Sequence, residues 1–162
     1  MGMEEERIRK AGLDFVGRKK KLKTSCASSS GDGLLFVGMV LPLKADGTLL
    51  YSGKYGKELG QKEMLSAARC AANGLLRAIA DGAGGLDNVA SVLTMNVLIS
   101  CAPGCDDALD KIADEISKTL VEVLGKRGEQ ARTVLGMCTL EKDAPVSCDA
   151  IVALRKERKT YV

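Results

Sequence analysis

The sequence predicts an α+β fold in which a sheet carries two helices on one face. Three observations lead there. The elements run strand, strand, helix, strand, helix, strand, strand along the chain. Each helical segment has a single apolar stripe. Several of the strands are apolar on both faces, as strands buried on both sides are.

Glu4 to Leu13 reads as a short helix with Ile8, Ala11 and Gly12 on one side and charges on the other. A basic run, Arg18-Lys19-Lys20-Lys21-Leu22-Lys23, follows, and then a Ser/Gly-rich loop or hairpin turn from Ser25 to Gly33. Leu34 to Leu41 is an apolar run closed by Pro42, which favours a buried strand. Asp46-Gly47 signals a turn, with Leu49-Leu50-Tyr51 a short strand after it. Gly53, Gly56 and Gly60 mark a loop. Gln61 to Ala80 is a helix whose stripe is Met64, Ala67, Ala68, Ala71, Leu75 and Ile79, ended by the glycines that follow Asp81. Val89 to Ser100 is a strand, broken by Pro103-Gly104. Asp106 and Asp107 are placed to cap a second helix, Ala108 to Leu124, with Leu109, Ile112, Ile116, Leu120 and Val123 as its stripe. Ala131 to Leu154 then reads as two strands joined by a tight turn, with Val134, Cys138 and Leu140 on one side of the first and Leu135 and Met137 on the other. Two helices cover one sheet face only. The second apolar face therefore calls for a partner, and a homo-oligomer packing sheet on sheet is the economical one.

The 162 residues suit one domain with a proper core, and 46% hydrophobic against 28% charged residues is a globular balance. Aromatics are 3%, with no Trp, so stacking platforms for single-stranded nucleic acid are not expected. The net charge of +3 is concentrated in the run at Arg18–Lys23 and in Arg155–Lys159, which read first as solvated surface and second as an RNA-directed patch. With no His, a Ser-His-Asp triad, a Cys-His pair and an imidazole base are all excluded. The six cysteines show no CxxC pair, so neither a metal site nor a cofactor is expected; buried packing is the expectation for Cys138 and Cys148. No apolar segment follows MGMEEERIRK and no run is long enough to span a membrane. A reducing intracellular compartment, cytoplasmic or mitochondrial, is the expectation.

The segments GLLFVGMVLP, YSGKYGKELG, AARCAANGLLRAI, GGLDNVASVLTMNVLIS and ARTVLGMCTLEKDAPVSCDAIVAL occur in an order that resembles the YjgF/RidA superfamily, also called Rid or endoribonuclease L-PSP-like. A longer subfamily, with an N-terminal helix and a Gly-Lys-x-Gly-x-x-Leu loop (Gly53 to Leu59), is the nearest in pattern. The resemblance covers Leu34 to Leu154 and divides the chain into a helical and basic extension (1–24), a YjgF/RidA-like domain (25–155) and a charged tail (156–162). It implies a chorismate-mutase-like mixed sheet with two helices on one face, assembled as a homotrimeric barrel with ligand clefts between subunits. It also implies hydrolysis of an imino or enamino acid to a 2-keto acid and ammonia, as by a 2-iminobutanoate/2-iminopropanoate deaminase. A non-catalytic metabolite-binding trimer and an L-PSP-type endoribonuclease are the alternatives.

Arg132 carries the site expectation. Its guanidinium is a planar fork suited to a carboxylate and charged at any working pH. Sequence position alone leaves open whether it faces a ligand or a protein carboxylate; the resemblance implies the carboxylate of a small imino acid. By the same resemblance Gly38 stands for a family serine, Val134 for a cysteine, Asp114 for an asparagine and Ser147 for the glutamate that holds the hydrolytic water. The family's cleft tyrosine would fall near Ser25. Backbone N–H groups near Val134 and Gly38 are candidates to bind ligand oxygen. Asp149 is the acid left on the last strand: either a general base or, with adjacent strands bringing the two together, the ion-pair partner of Arg132.

Overall fold

The computed structural model describes residues 3–13 and 27–155. The expectations for Ser25, Cys26, the run at Arg18–Lys23 and the tail beyond Arg155 lie outside the described residues. The elements are α1 (Met3–Lys10), β1 (Ala27–Ser29), β2 (Leu34–Val40), α2 (Gln61–Ala83), β3 (Val89–Ser100), α3 (Leu109–Leu124), β4 (Ala131–Met137) and β5 (Val146–Leu154). The α+β class and the mixed sheet are as the sequence predicts.

The strands form one sheet in the order β1-β2-β5-β3-β4. β5 is antiparallel to both β2 and β3, so β2 and β3 run parallel to each other with β5 between them. β3 and β4 are parallel neighbours, with Val97 beside Val134 and Met95 beside Arg132. Parallel strands cannot be joined by a tight turn and need a crossover. Here α2 carries the chain from β2 to β3, and α3 carries it from β3 to β4.

This topology corrects the expected hairpin. β4 and β5 are consecutive in sequence, but β3 lies between them. The connection crosses the end of β3, where Ser100 N–H donates to Pro145 O at 2.9 Å. Gly53 N–H donates to Asp143 O at 2.9 Å, which ties the glycine loop to the same crossing. Two further expectations change. Leu49 to Tyr51 is not a strand; only an isolated bridge joins Leu43 and Leu49. Asp106 and Asp107 do not cap α3, whose first turn has no side-chain cap; Asp107 instead accepts from Tyr55 Oη at 3.2 Å. Partial burial, followed by the hydrogen bond to Asp107 and its charge, raises the Tyr55 hydroxyl above its ordinary value.

The core lies between the helices and one face of the sheet. Met64, Ala67, Ala68, Ala71, Leu75 and Ile79 of α2 and Ile112, Ile116, Leu120 and Val123 of α3 are buried against Leu35, Val37, Val92, Met95, Val97, Cys148, Ala150 and Val152. The alanines and glycines of α2 let it lie close to the sheet. A Cβ at Gly74 would stand 2.7 Å from Val40, and one at Gly82 2.7 Å from Leu35. Gly84, at φ 70°, ends the helix in the left-handed conformation that a side chain resists. The chain following α1 docks through Arg69, which donates to Ala11 O at 2.5 Å and pairs with Glu115 and Glu122 at 3.2 Å each.

Among the described residues no helix lies over the other face. Phe36 and Leu135 stand on it 46% exposed, and Met39 and Leu93, at irregularities in the strand register, are 52% and 44% exposed. That is the second apolar face read from the strand pattern.

Cys148 is fully buried on β5 beneath α2, and burial, with a smaller contribution from Asp149, pushes its thiol from 9.0 to about 12. The folded state therefore keeps this proton where the unfolded chain loses it, so the stability it contributes is intact below pH 9.0 and is lost as pH rises toward about 12. Urea denaturation between pH 8 and 11 checks this: Cys148→Ala should lessen the alkaline loss of stability by up to about 1.4 kcal/mol per pH unit.

Candidate functional site

Strand alternation decides which candidate residues meet. On β4, Arg132 and Val134 point to the helix side, while Ala131, Thr133 and Leu135 point away. Asp114, Ser117 and Val121 lie three and four residues apart on α3 and so form one ridge. Arg132 Nη1 donates to Asp114 Oδ1 at 2.8 Å and to Ser117 Oγ at 3.0 Å. Gln130 Nε2 donates to the same Ser117 oxygen at 2.7 Å. Ser117, Val121, Glu129, Gln130 and Arg132 line an open depression of about 430 Å³ at the β4 edge. The turn that delivers β4 to this place is tight: a Cβ at Gly128 would meet the Leu120 carbonyl oxygen at 2.6 Å.

The two partners of the ion pair differ in exposure. The Arg132 side chain is 22% exposed and that of Asp114 67%. The arginine is anchored between strand and helix, while the carboxylate sits at the rim. A pair with one member in water contributes little, about 0–1 kcal/mol. Asp114 bonds the guanidinium through Nη1 alone and keeps most of its side chain in water.

Asp149 is not that partner, contrary to one expectation. It lies on the opposite face of the sheet, in register with Asn96, whose Nδ2 donates to Asp149 Oδ1 at 2.9 Å. β3 separates β5 from β4, so the adjacency on which the Arg132–Asp149 pair rested does not exist. Ser147 is on that opposite face too, in register with Leu98; its hydroxyl is buried without a protein partner among the described residues, as is that of Ser100. Gly38 lies in the irregular part of β2, three strand positions from β4, which is about 14 Å at ordinary strand spacing. Within one chain, then, Arg132, Val134 and Asp114 come together, and Gly38, Ser147 and Asp149 do not join them. Ser117, Gln130 and Glu129 were missed. The i, i+3 spacing from Asp114 to Ser117 was a usable signal for the first; Gln130 and Glu129 precede the strand and carry none. Among the described residues no cluster of His, Cys, Asp and Glu is built to hold a metal ion, and no helix is long and apolar enough to cross a membrane.

No family model and no curated protein sequence matches the chain. Solved structures do. A protein of unknown function from Agrobacterium tumefaciens superposes with a TM-score of 0.84 at 25% identity, covering 94% of each chain. A candidate endoribonuclease from Shewanella oneidensis gives 0.85 at 21% identity, over 94% of this chain and all (100%) of the other. The chain has the YjgF/RidA fold. TdcF of Escherichia coli, solved with bound serine, is a more distant example: TM-score 0.56 and 17% identity over 85% of this chain and 91% of TdcF. The YjgF/RidA resemblance in the order of the sequence segments thus agrees with the folded chain.

Exchange of Asp114 makes a direct prediction for this YjgF/RidA-fold site. Asp114→Asn removes the competing charge and should tighten binding of a small 2-keto acid about 5-fold, the equivalent of about 1 kcal/mol. Isothermal titration of wild type and variant checks it; unchanged or weaker binding would mean that Asp114 does not compete for the fork.

Proposed function

We propose that the protein binds a small imino, enamino or amino acid by its carboxylate on Arg132, in a cleft completed by a second copy of the chain, and hydrolyses the imine to a 2-keto acid and ammonia. The observation that carries the reading is the Arg132 guanidinium, fixed by Ser117 and presented to an open depression with only a rim-exposed carboxylate on it. A guanidinium in that setting recognises carboxylates through two parallel hydrogen bonds. The serine carried by TdcF is an acid of this class.

Fixing the carboxylate would hold the adjacent imine carbon beside the rim of the depression. Water adds to that carbon, a proton passes to nitrogen, and the carbinolamine collapses to a keto group and ammonia. This needs a group to take the water proton but no covalent nucleophile. Glu129 lines the same depression and is the acid we assign to that role. Ser147 and Asp149 are buried or engaged on the far face, so in this chain they are not assigned to it. A homotrimer is the assembly we propose. Phe36, Met39, Leu93 and Leu135 leave a broad apolar surface on the uncovered face, and apolar faces of this kind are interaction surfaces.

The decisive assay is keto-acid release from freshly generated 2-aminoacrylate and 2-iminobutyrate. Wild type should accelerate it; Arg132→Ala should lose at least about 100-fold in kcat/KM, corresponding to roughly 2.7 kcal/mol, and Glu129→Gln should lower kcat more than it raises KM. No acceleration by an intact wild-type oligomer would leave a carboxylate-binding protein without turnover. For the assembly, sedimentation of wild type and Leu135→Glu should give a trimer and a monomer respectively; a monomeric wild type overturns the assembly.

A further inference from the structure

A pair of thiols at the end of the parallel strands lies outside the site just described. β3 and β4 run in register with Ile99 beside Gly136 and Ser100 beside Met137. Cys101 N–H donates to Met137 O at 3.1 Å, which closes the last rung of the parallel ladder, and Cys101 and Cys138 are the residues that follow that rung on the two strands. Adjacent parallel strands are about 4.8 Å apart, within the Cα separation that a disulfide bridges, roughly 4.4–6.8 Å.

The sulfur of Cys101 leans toward β4. A Cβ built on Gly136 would stand 3.1 Å from it, so the sulfur occupies the room that this glycine leaves on the neighbouring strand. Gly136 stands two residues before Cys138, and β4 ends between them at Met137. Cys138 is exposed and Cys101 half-buried, so the first is open to an oxidant and the second is sheltered beside it. This corrects the expectation that Cys138 is packed inside. The Lys54 ammonium donates to the Cys138 carbonyl, which ties the glycine loop to the end of β4. The remaining described thiols are engaged elsewhere. Cys105 fills the space over Gly56, Cys70 Sγ lies 3.5 Å from Leu43 O, and Cys148 is fully buried.

We propose that Cys101 and Cys138 form a reversible cross-strand disulfide on exposure to a peroxide. The Cys138 thiolate attacks one oxygen of hydrogen peroxide; the O–O bond breaks, hydroxide leaves, and Cys138 becomes a sulfenic acid. The Cys101 thiolate then attacks the Cys138 sulfur, the S–O bond breaks and a second hydroxide leaves. The two hydroxides take up the two thiol protons. Two thiols and one peroxide thus give one disulfide and two waters, and a dithiol reverses the reaction. The bond would fasten the end of the edge strand that carries Arg132 to the strand beside it.

The test treats the full-length protein with a small excess of hydrogen peroxide, alkylates the remaining thiols under denaturing conditions and maps the peptides by mass. The expected product is an intramolecular link between the Cys101 and Cys138 peptides, formed in wild type and in Cys105→Ser and removed by dithiothreitol. Cys101→Ser should instead retain a Cys138 sulfenic acid that a cyclic 1,3-diketone traps, and Cys138→Ser should lose both link and trap. A link that uses Cys26 or Cys105, a link between chains only, or Cys138 passing to sulfinic acid in wild type without any link would each overturn the proposal. So would a chain whose thiols all remain alkylatable.

Discussion

Helices α2 and α3 bury one face of the sheet, and the two-residue alternation of its strands assigns every other side chain to one side or the other. That constraint places the arginine. Arg132 has the helix-side parity, but β4 is the last strand of the sheet, so the side chain emerges at the edge beneath α3 rather than in the core. One position earlier or later along β4 it would point onto the uncovered face. The same parity sends Asp149 and Ser147 to that face, along with Asn96, Leu98 and Leu135. Whatever chemistry one chain performs near Arg132 is therefore drawn from α3, β4 and the residues just before β4.

The ion pair at Arg132 joins a largely sheltered guanidinium to a carboxylate that stands mostly in water. A guanidinium that is largely sheltered needs a counter-charge, because an unpaired buried charge costs several kcal/mol. Asp114 supplies one while keeping most of its own surface in water. The arginine is oriented on the protein side by Ser117, itself held by Gln130. On the proposed reading, a ligand carboxylate would substitute one ion pair for another at nearly constant charge, which would keep the cost of entry small.

Much of this was legible in the sequence, and the failures have identifiable causes. The stripes on α2 and α3, the long β3 and the apolar run of β2 carried clear periods and were read at close to their observed bounds. The oligomeric expectation came from strands with two apolar faces, and Phe36 and Leu135 do stand exposed on the second one. The hairpin failed because adjacency in sequence is a good but incomplete guide to pairing. The β2-α2-β3 crossover leaves a vacant place in the sheet, and β5 fills it instead of pairing with β4. Once that pairing was misassigned, Asp149 was drawn to Arg132, since an ion pair across adjacent strands was the simplest partner available. The real partner, Asp114, was singled out only through the family resemblance, because no periodicity tells an exposed helix acid from its neighbours. Cys138 was misread for a related reason: its apolar surroundings suggested burial, but the strand ends at Met137 and leaves the thiol outside.

A crystal structure with a bound small 2-keto acid tests most directly whether Arg132 takes a ligand carboxylate in place of Asp114. The expected structure has the ligand carboxylate on the Arg132 guanidinium in a two-bond fork at about 2.7–2.9 Å, with Asp114 turned out to solvent. An occupied ligand site elsewhere, with the Arg132–Asp114 pair intact, would contradict it.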